Sequence, residues 1–325
     1  MTGAGDAQWT GLVTVGETLG LLVAEDVGPL SLARGMRLSM GGAESNVAIG
    51  VARLGVPATW IGRLGRDPVG DLVERHLLAE RVRALVRRDD APTALMLRER
   101  RTGGSSHVSY YRHGSAGSHL CPDDLPEGVI EGAGVLHLTG ITPALGPGPA
   151  ATVREAVRRA RAAGVPVSVD LNFRSRLWDA ATAGVVFREL AAGADMLFAG
   201  DDEARIALGI DDPDAATPAE LATALAELGP SEVVVKRGRH GATARIEGAV
   251  IDVPAVPVTA VDAVGAGDAF VAGYLASRLT GRDIHERLST AAVTGAFAVT
   301  VPGDWEACPR PHELTLLTSG ETVHR

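Results

Sequence analysis

Val261-Asp262-Ala263-Val264-Gly265-Ala266-Gly267-Asp268-Ala269-Phe270 is the stretch on which the rest of the chain turns. A tight glycine-rich turn opens a helix here, because the apolar residues running on through Val271, Ala272 and Leu275 recur at helical spacing. Gly265 and Gly267 flank Ala266, so the backbone N–H groups of the turn meet an anion without a Cβ in the way. The helix dipole adds roughly half a positive charge at the same place. Asp268 then falls in the first helical turn. A carboxylate there repels a phosphate unless its task is to take the proton of an attacking hydroxyl. Phosphoryl transfer suits that pairing, since its loose transition state asks for in-line positioning and charge neutralisation more than for a strong base. Gly265, Ala266, Gly267 and Asp268 are therefore the candidate catalytic residues. The same letters also spell a plain glycine-cornered helix start, so the remaining chain has to separate the two readings.

With 325 residues, 46% of them hydrophobic, the chain can bury a sizeable core. No apolar run approaches the roughly 18 residues of a membrane span. Met1 to Thr10 lack a basic flank and an apolar core, so no signal peptide is expected. Cys121 and Cys308 sit in no metal-ligand spacing and point to a reducing compartment, the cytoplasm. A net charge of −9 without a basic cluster argues against nucleic acid or a membrane surface as partner. Lys236 is the only lysine among many arginines, which marks a special site or is a chance survivor of compositional drift.

Leu12 to Val15 reads as a buried first strand that delivers Gly16-Glu17 to a sheet's carboxyl edge. Leu19 to Val23 and Met36 to Leu38 suit a small hairpin. Gly41-Gly42-Ala43-Glu44-Ser45-Asn46 enters a helix that Gly55 stops. There Asn46 either offers its amide to hydroxyls or serves as a helix cap. Ala58 to Ile61 is a strand, residues 62–67 a loop, and Asp67 to Glu80 a helix. Thr93 to Arg100 and Ser105 to Arg112 alternate around Thr102-Gly103-Gly104, as in a hairpin, and the second strand ends in Tyr110-Tyr111-Arg112. It carries site chemistry or is an ordinary edge strand. From Gly134 onward strands and helices alternate regularly, which calls for a mainly parallel sheet with ligands beyond its carboxyl ends. The polar loops at those ends are residues 139–141, 170–174, 200–203 and 236–241. A hairpin from Ala242 to Val253, a helix from Asp283 to Val299 and a last short helix near Pro311 to Leu317 complete the expected elements.

Gly41-Gly42-Ala43-Glu44-Ser45-Asn46-Val47-Ala48 and Asp262-Ala263-Val264-Gly265-Ala266-Gly267-Asp268, in this order and at this separation, resemble the two signatures of the ribokinase-like (PfkB) carbohydrate kinases. The likeness extends over essentially residues 11–318. It implies a single α/β domain, 1–325, with a doubly wound, mainly parallel sheet. A small β-sheet lid from about residues 19–39 and 93–113 would cover the sugar and help form a homodimer. Tyr110-Tyr111-Arg112, Asn172-Phe173-Arg174 and Gly303-Asp304 are similar to 2-keto-3-deoxygluconate kinases within that family. That likeness implies a sugar-acid substrate held by Gly42, Asn46, Tyr110, Tyr111, Arg112, Ile141, Arg174 and Asp304. Arginine forks pair with a carboxylate in planar, bidentate fashion, which agrees. It also implies ATP and Mg²⁺, with Lys236, Arg237, Gly238 and Gly241 joining Gly265, Ala266 and Gly267 around the nucleotide and Glu203 reaching the magnesium through water. Two departures stand out: Met96 where such kinases often have tyrosine, and Gly200 where the family's N-x-x-E motif has asparagine. A kinase for a neutral sugar and a non-catalytic sugar or nucleotide binder are the rival readings. The binder has no need for Asp268 beside an intact anion nest.

Overall fold

Short runs of consecutive apolar residues form the centre of the molecule, because helices cover both faces of the sheet they build. The computed structural model describes residues 11–102 and 105–317. In chain order the strands are β1 (Leu12–Val15), β2 (Leu19–Val27), β3 (Met36–Gly41), β4 (Ala58–Gly65), β5 (Val82–Asp89), β6 (Leu95–Thr102) and β7 (Ser105–Tyr111). They continue as β8 (Val135–Thr139), β9 (Val167–Asp170), β10 (Met196–Gly200), β11 (Glu232–Lys236), β12 (Ala242–Ile246) and β13 (Ala249–Val253). The helices are α1 (Ala43–Arg53), α2 (Pro68–Ala79), α3 (Pro147–Ala162), α4 (Ala180–Gly193), α5 (Asp201–Leu208), α6 (Pro218–Ala226), α7 (Ala266–Leu279) and α8 (Ile284–Ala298).

The large sheet has the order β13-β12-β11-β10-β9-β8-β1-β4-β5. It is parallel from β5 to β11 and antiparallel at β12 and β13. Side chains on its strands divide between two cores at the two-residue period of a strand. Met196 and Phe198 pack in one core with Val47, Phe270 and Leu288 from α1, α7 and α8. Leu197 and Ala199 pack in the other with Val153, Phe187 and Leu221 from α3, α4 and α6. The strand direction reverses its connectivity at β1 and β8, which leaves a crevice at their carboxyl ends, the place where open α/β sheets bind ligands.

The second sheet, β3-β2-β6-β7, is the expected lid. Leu19, Leu21, Val23, Ala94 and Met96 are buried on its inner face, with Val108 and Tyr110 packed against them. The hairpin tip at Gly103 and Gly104 lies outside the described residues, as do residues 1–10 and the reading made of them.

Two expectations need correction, at β4 and near Pro311, and one strand, β5, was not expected at all. Residues 82–89 form the edge strand β5, which Arg83, Arg87, Arg88 and Asp89 disguise as a polar connection; an edge strand can carry those charges because one flank is open to water. β4 runs on through Gly65, so residues 62–65 are strand and not loop. Near Pro311 there is a single 3₁₀ turn, Pro311–Glu313, in place of a helix.

Candidate active site

The crevice is a cavity of about 380 Å³ between the carboxyl ends of the sheet, the underside of the lid and the N-terminus of α7. Its wall brings together Gly42, Asn46, Tyr110, Arg112, Ile141, Arg174, Glu203, Lys236, Gly265, Gly267, Asp268 and Asp304. Five expected residues stand outside that wall: Tyr111, Arg237, Gly238, Gly241 and Ala266. Tyr111 is 65% exposed, because a strand alternates and the inner face of β7 already belongs to Val108 and Tyr110. Arg237 turns toward Asp252, away from the crevice.

Gly265 adopts φ +75°, a left-handed conformation, and a Cβ on it would lie 1.8 Å from the carbonyl oxygen of Asp304. Only glycine serves on both counts. It caps α7, whose first N–H groups have no partner within the helix, and Gly265, Gly267 and Asp268 line the crevice there. Gly42 is required by contact alone, since a Cβ there would meet the carbonyl oxygen of Glu17 at 2.5 Å. Asp268 is buried, and its Oδ2 accepts a hydrogen bond from Asn46 Nδ2 at 2.8 Å. Asn172 Nδ2 lies 3.4 Å from the other oxygen. Burial pushes the Asp268 carboxyl up to about 6; the Asn46 bond opposes that, and the nearby Asp170 adds to it. The group is thus a base that is ionised near neutrality and not far from its proton affinity, which suits general-base work.

Lys236 closes β11, and its Nζ donates to both oxygens of Asp170 at the end of β9, at 2.7 and 2.6 Å. A Cβ on Gly267 would be 3.4 Å from that nitrogen, so the ammonium sits directly beside the anion turn. Burial lowers the Lys236 ammonium's proton affinity, but the carboxylates of Asp170 and Glu203 more than reverse this and raise it above its ordinary value. Glu203 accepts from the backbone N–H of Phe173 at 2.9 Å and of Gly200 at 2.6 Å. The remaining lone pairs of its two oxygens are what it can offer to a magnesium-bound water. Among the described residues no cluster of three or more histidine, cysteine or acidic side chains forms a direct metal site.

Arg112 Nη2 pairs with Glu17, which also accepts from Ser115 Oγ at 2.7 Å, and its guanidinium stacks 5.3 Å from the centre of the Tyr110 ring. Arg174 donates to the carbonyl of its own neighbour, Phe173, at 3.1 Å. Both arginines also line a wider opening of about 980 Å³ that continues from the crevice to the surface. Asp304 is buried, receives Arg98 Nη1 at 3.1 Å, and is pushed up to about 7 by burial, with Arg98 holding it back.

Residues 10–310 match the pfkB family of carbohydrate kinases. The chain belongs to that family. It is 33% identical to the 2-dehydro-3-deoxygluconokinase of Bacillus subtilis, covering 96% of this chain and 97% of that protein. It is 35% identical to the 2-dehydro-3-deoxygalactonokinase of Haloferax volcanii, covering 95% and 96%. A putative ribokinase II of Escherichia coli, solved in complex with ATP and Mg²⁺, superposes with a TM-score of 0.86 at 25% identity, covering 95% of this chain and 99% of that one.

In this PfkB kinase several residues of the wall take no role from the sequence: Glu17, Arg98 and Asp170 stand in no motif, while Glu44, Met96 and Asn172 stand at positions that the motifs include. Glu17, Glu44, Met96, Arg98, Asp170 and Asn172 all face the crevice. Glu44 is buried and accepts from Thr139 and Thr142 at 2.7 and 2.6 Å, which fastens the Ile141 loop to α1; burial raises its carboxyl. Asn172 has φ +43°, unusual for a residue with a side chain and a signal of a held backbone, but one visible only in the structure. Asp170 and Asn172 stood in a strand-end loop whose polarity was the usable sign. Met96 and Tyr110 oppose each other across β6 and β7, so the thioether occupies the inner face of the lid where a tyrosine was expected.

Proposed function

We propose that this carbohydrate kinase phosphorylates a hydroxyl of a 2-keto-3-deoxy sugar acid with ATP. The observation that carries the reading is the presence of Arg112 and Arg174 in the wall of the cavity that also holds Asp268. A neutral sugar offers the two guanidinium groups hydroxyl acceptors but no opposite charge, whereas a carboxylate takes a fork directly. In this reading the tail of the sugar acid lies toward Arg112 and Arg174, and the hydroxyl to be phosphorylated lies at Asp268. Asp268 accepts the hydroxyl proton as the oxygen attacks the γ-phosphorus and the bond to the ADP oxygen breaks. The N–H groups at the start of α7 stabilise the charge on the transferring group. Lys236 adds a positive charge beside the same turn. Mg²⁺ would travel with the nucleotide and shield its phosphates, with Glu203 holding one of its waters. Gly42, Asn46, Tyr110, Ile141 and Asp304 supply the polar and shape contacts to the sugar.

The chain is similar to both a 2-dehydro-3-deoxygluconokinase and a 2-dehydro-3-deoxygalactonokinase, so both epimers belong in the test. Coupled assays of ADP formation at equal concentrations of 2-keto-3-deoxygluconate, 2-keto-3-deoxygalactonate, fructose and ribose test the proposal. Turnover of the sugar acids at least tenfold above the neutral sugars supports it; a preference for fructose or ribose overturns it.

A homodimer joined through the lids belongs to the same proposal. Leu38 and Tyr111 are exposed on the outer face of the lid, and Leu22, Leu95 and Leu97 lie partly covered beside them. Sedimentation velocity giving a monomer of 33.6 kDa would overturn that part. The cytoplasm, where ATP is abundant, is the compartment we propose.

A further inference from the structure

Arg98 lies on β6 of the lid and is 1% exposed. It is long, charged and buried, a combination that persists where partners repay the lost hydration. Its partners come from two other parts of the chain. Nη1 donates to Asp304 Oδ1 at 3.1 Å, and Nη2 stands 3.1 Å from Asp262 Oδ2. These carboxylates bracket the anion turn. Asp262 Oδ1 accepts from the backbone N–H of Val264 at 3.2 Å, so the side chain shapes the entry to the turn. The backbone of Asp304 presses on Gly265 so closely that no Cβ fits between them. One lid guanidinium therefore hydrogen-bonds Asp304, whose backbone packs on Gly265, and forms an ion pair with Asp262, whose side chain accepts from Val264 at the entry to the turn.

We infer that Arg98 is a positioning residue for phosphoryl transfer, one that fixes the Gly265–Gly267 turn through Asp262 and Asp304 and so ties the anion site to the lid. The inference rests on the kinase reading of that turn. It differs from a role in sugar binding, since the guanidinium acts on the helix start and not on the ligand. Without Arg98, the side chains of Asp262 and Asp304 lose the group that bridges them, and the turn loses its tie to the lid.

The test uses the full chain and three variants: Arg98→Lys, Asp262→Asn and the double variant. Lysine keeps the charge, but a single ammonium cannot span two carboxylates as a fork does. Asp262→Asn removes only the turn-side partner and leaves Asp304 paired, so it remains informative if Arg98→Lys fails to fold. We expect amide hydrogen exchange across residues 261–268 to rise at least about tenfold in both single variants, with protection in the large sheet unchanged. We expect kcat to fall by about 10 to 100-fold, with the double variant no worse than the poorer single one. Unchanged exchange at the turn would overturn the inference, as would losses in kcat that multiply. A rise in the sugar KM with kcat intact would overturn it too, making Arg98 a direct ligand. Exchange is read without turnover, so a wild-type enzyme inactive on every sugar would sink the substrate proposal while the exchange result still decides this one.

Discussion

Asn46 Nδ2 donates to Asp268 Oδ2 at 2.8 Å, joining two glycine-flanked helix starts that are 222 residues apart in the chain. In the proposed mechanism the bond orients the base: Asn46 holds Oδ2 firmly, while Oδ1, reached by Asn172 only at 3.4 Å, keeps a lone pair for an incoming hydroxyl. It also tunes the base, since hydrogen bonding to the ionised form works against the burial that drives the group up to about 6. A raised carboxyl is protonated and idle below its pKa, so kcat/KM should decline about tenfold per pH unit below about 6 and stay flat above it. Asn46→Asp puts a like charge where the donor was. The acid limb should then move upward by about one pH unit or more. A limb that stays in place in the pH profile of this variant would show that Asp268 is not the group being titrated.

Asp268→Asn should separate activity from stability. Turnover should fall about 10²- to 10⁴-fold, the usual worth of a positioned base. Stability should hold or rise. A carboxyl whose folded pKa stands above its unfolded value contributes stability fully at acid pH, and that contribution is lost as pH climbs through the folded value. Moving from 3.8 to about 6 corresponds to about 3 kcal/mol held against the fold near pH 7.5. The amide relieves part of that. Calorimetry should show the variant's advantage at pH 7.5 shrinking to about half at pH 5, because the penalty builds up between 3.8 and about 6. A drop in Tm at pH 7.5 would mean that Asp268 is held mainly by favourable contacts.

The fold was legible because the chain repeats one local rule: a short apolar run, a polar loop, then a capped helix. Asp67-Pro68 and Thr217-Pro218 are such starts, and both side chains accept a bond from the first turn of their helices. β5 was not legible, since its charges hide the alternation. The anion turn and Asn46 were legible because a glycine that must be glycine leaves a mark in the letters. Arg98 and Glu17 were not, as an arginine in an arginine-rich chain and a glutamate after a strand look like surface. Only tertiary contact reveals that they are buried pairs. Tyr111 was drawn in by its neighbours in a contiguous string, where the two-residue period of a strand admits Tyr110 and Arg112 and turns Tyr111 outward.

Arg174→Lys should raise the KM for the sugar acid by about ten- to a hundredfold with little change in the KM for ATP, because the ammonium cannot reproduce the planar fork. Arg112→Lys should do the same and also lower Tm, since Arg112 is paired with the buried Glu17 and stacked on Tyr110, whereas Arg174 donates to the Phe173 carbonyl beside it. Breaking a buried pair leaves an uncompensated charge. Steady-state kinetics in both substrates and a melting curve suffice. Equal losses toward ATP and sugar would remove either residue from carboxylate binding.

Lys236→Arg tests whether the chain's only lysine is there by chance. Its ammonium sits in a buried slot between Asp170 and the turn at Gly267, with both bonds to Asp170 below 2.8 Å. Guanidinium is broader and planar, so it can keep the charge but not the position. Two outcomes are physically open to such a group: it displaces the turn, or it swings out of the slot and leaves Asp170 unpaired. Either one harms the anion site. ATP affinity, measured calorimetrically without sugar, should weaken at least tenfold, and kcat should fall with it. The change should also raise the proton affinity of Asp268, because Lys236 now lowers it and an ammonium withdrawn from the site no longer does. The acid limb of the pH profile should therefore move up in this variant, the same direction as in Asn46→Asp but by a different cause. Retained ATP affinity, retained kcat and an unmoved acid limb together would leave the lysine without a role at the phosphates.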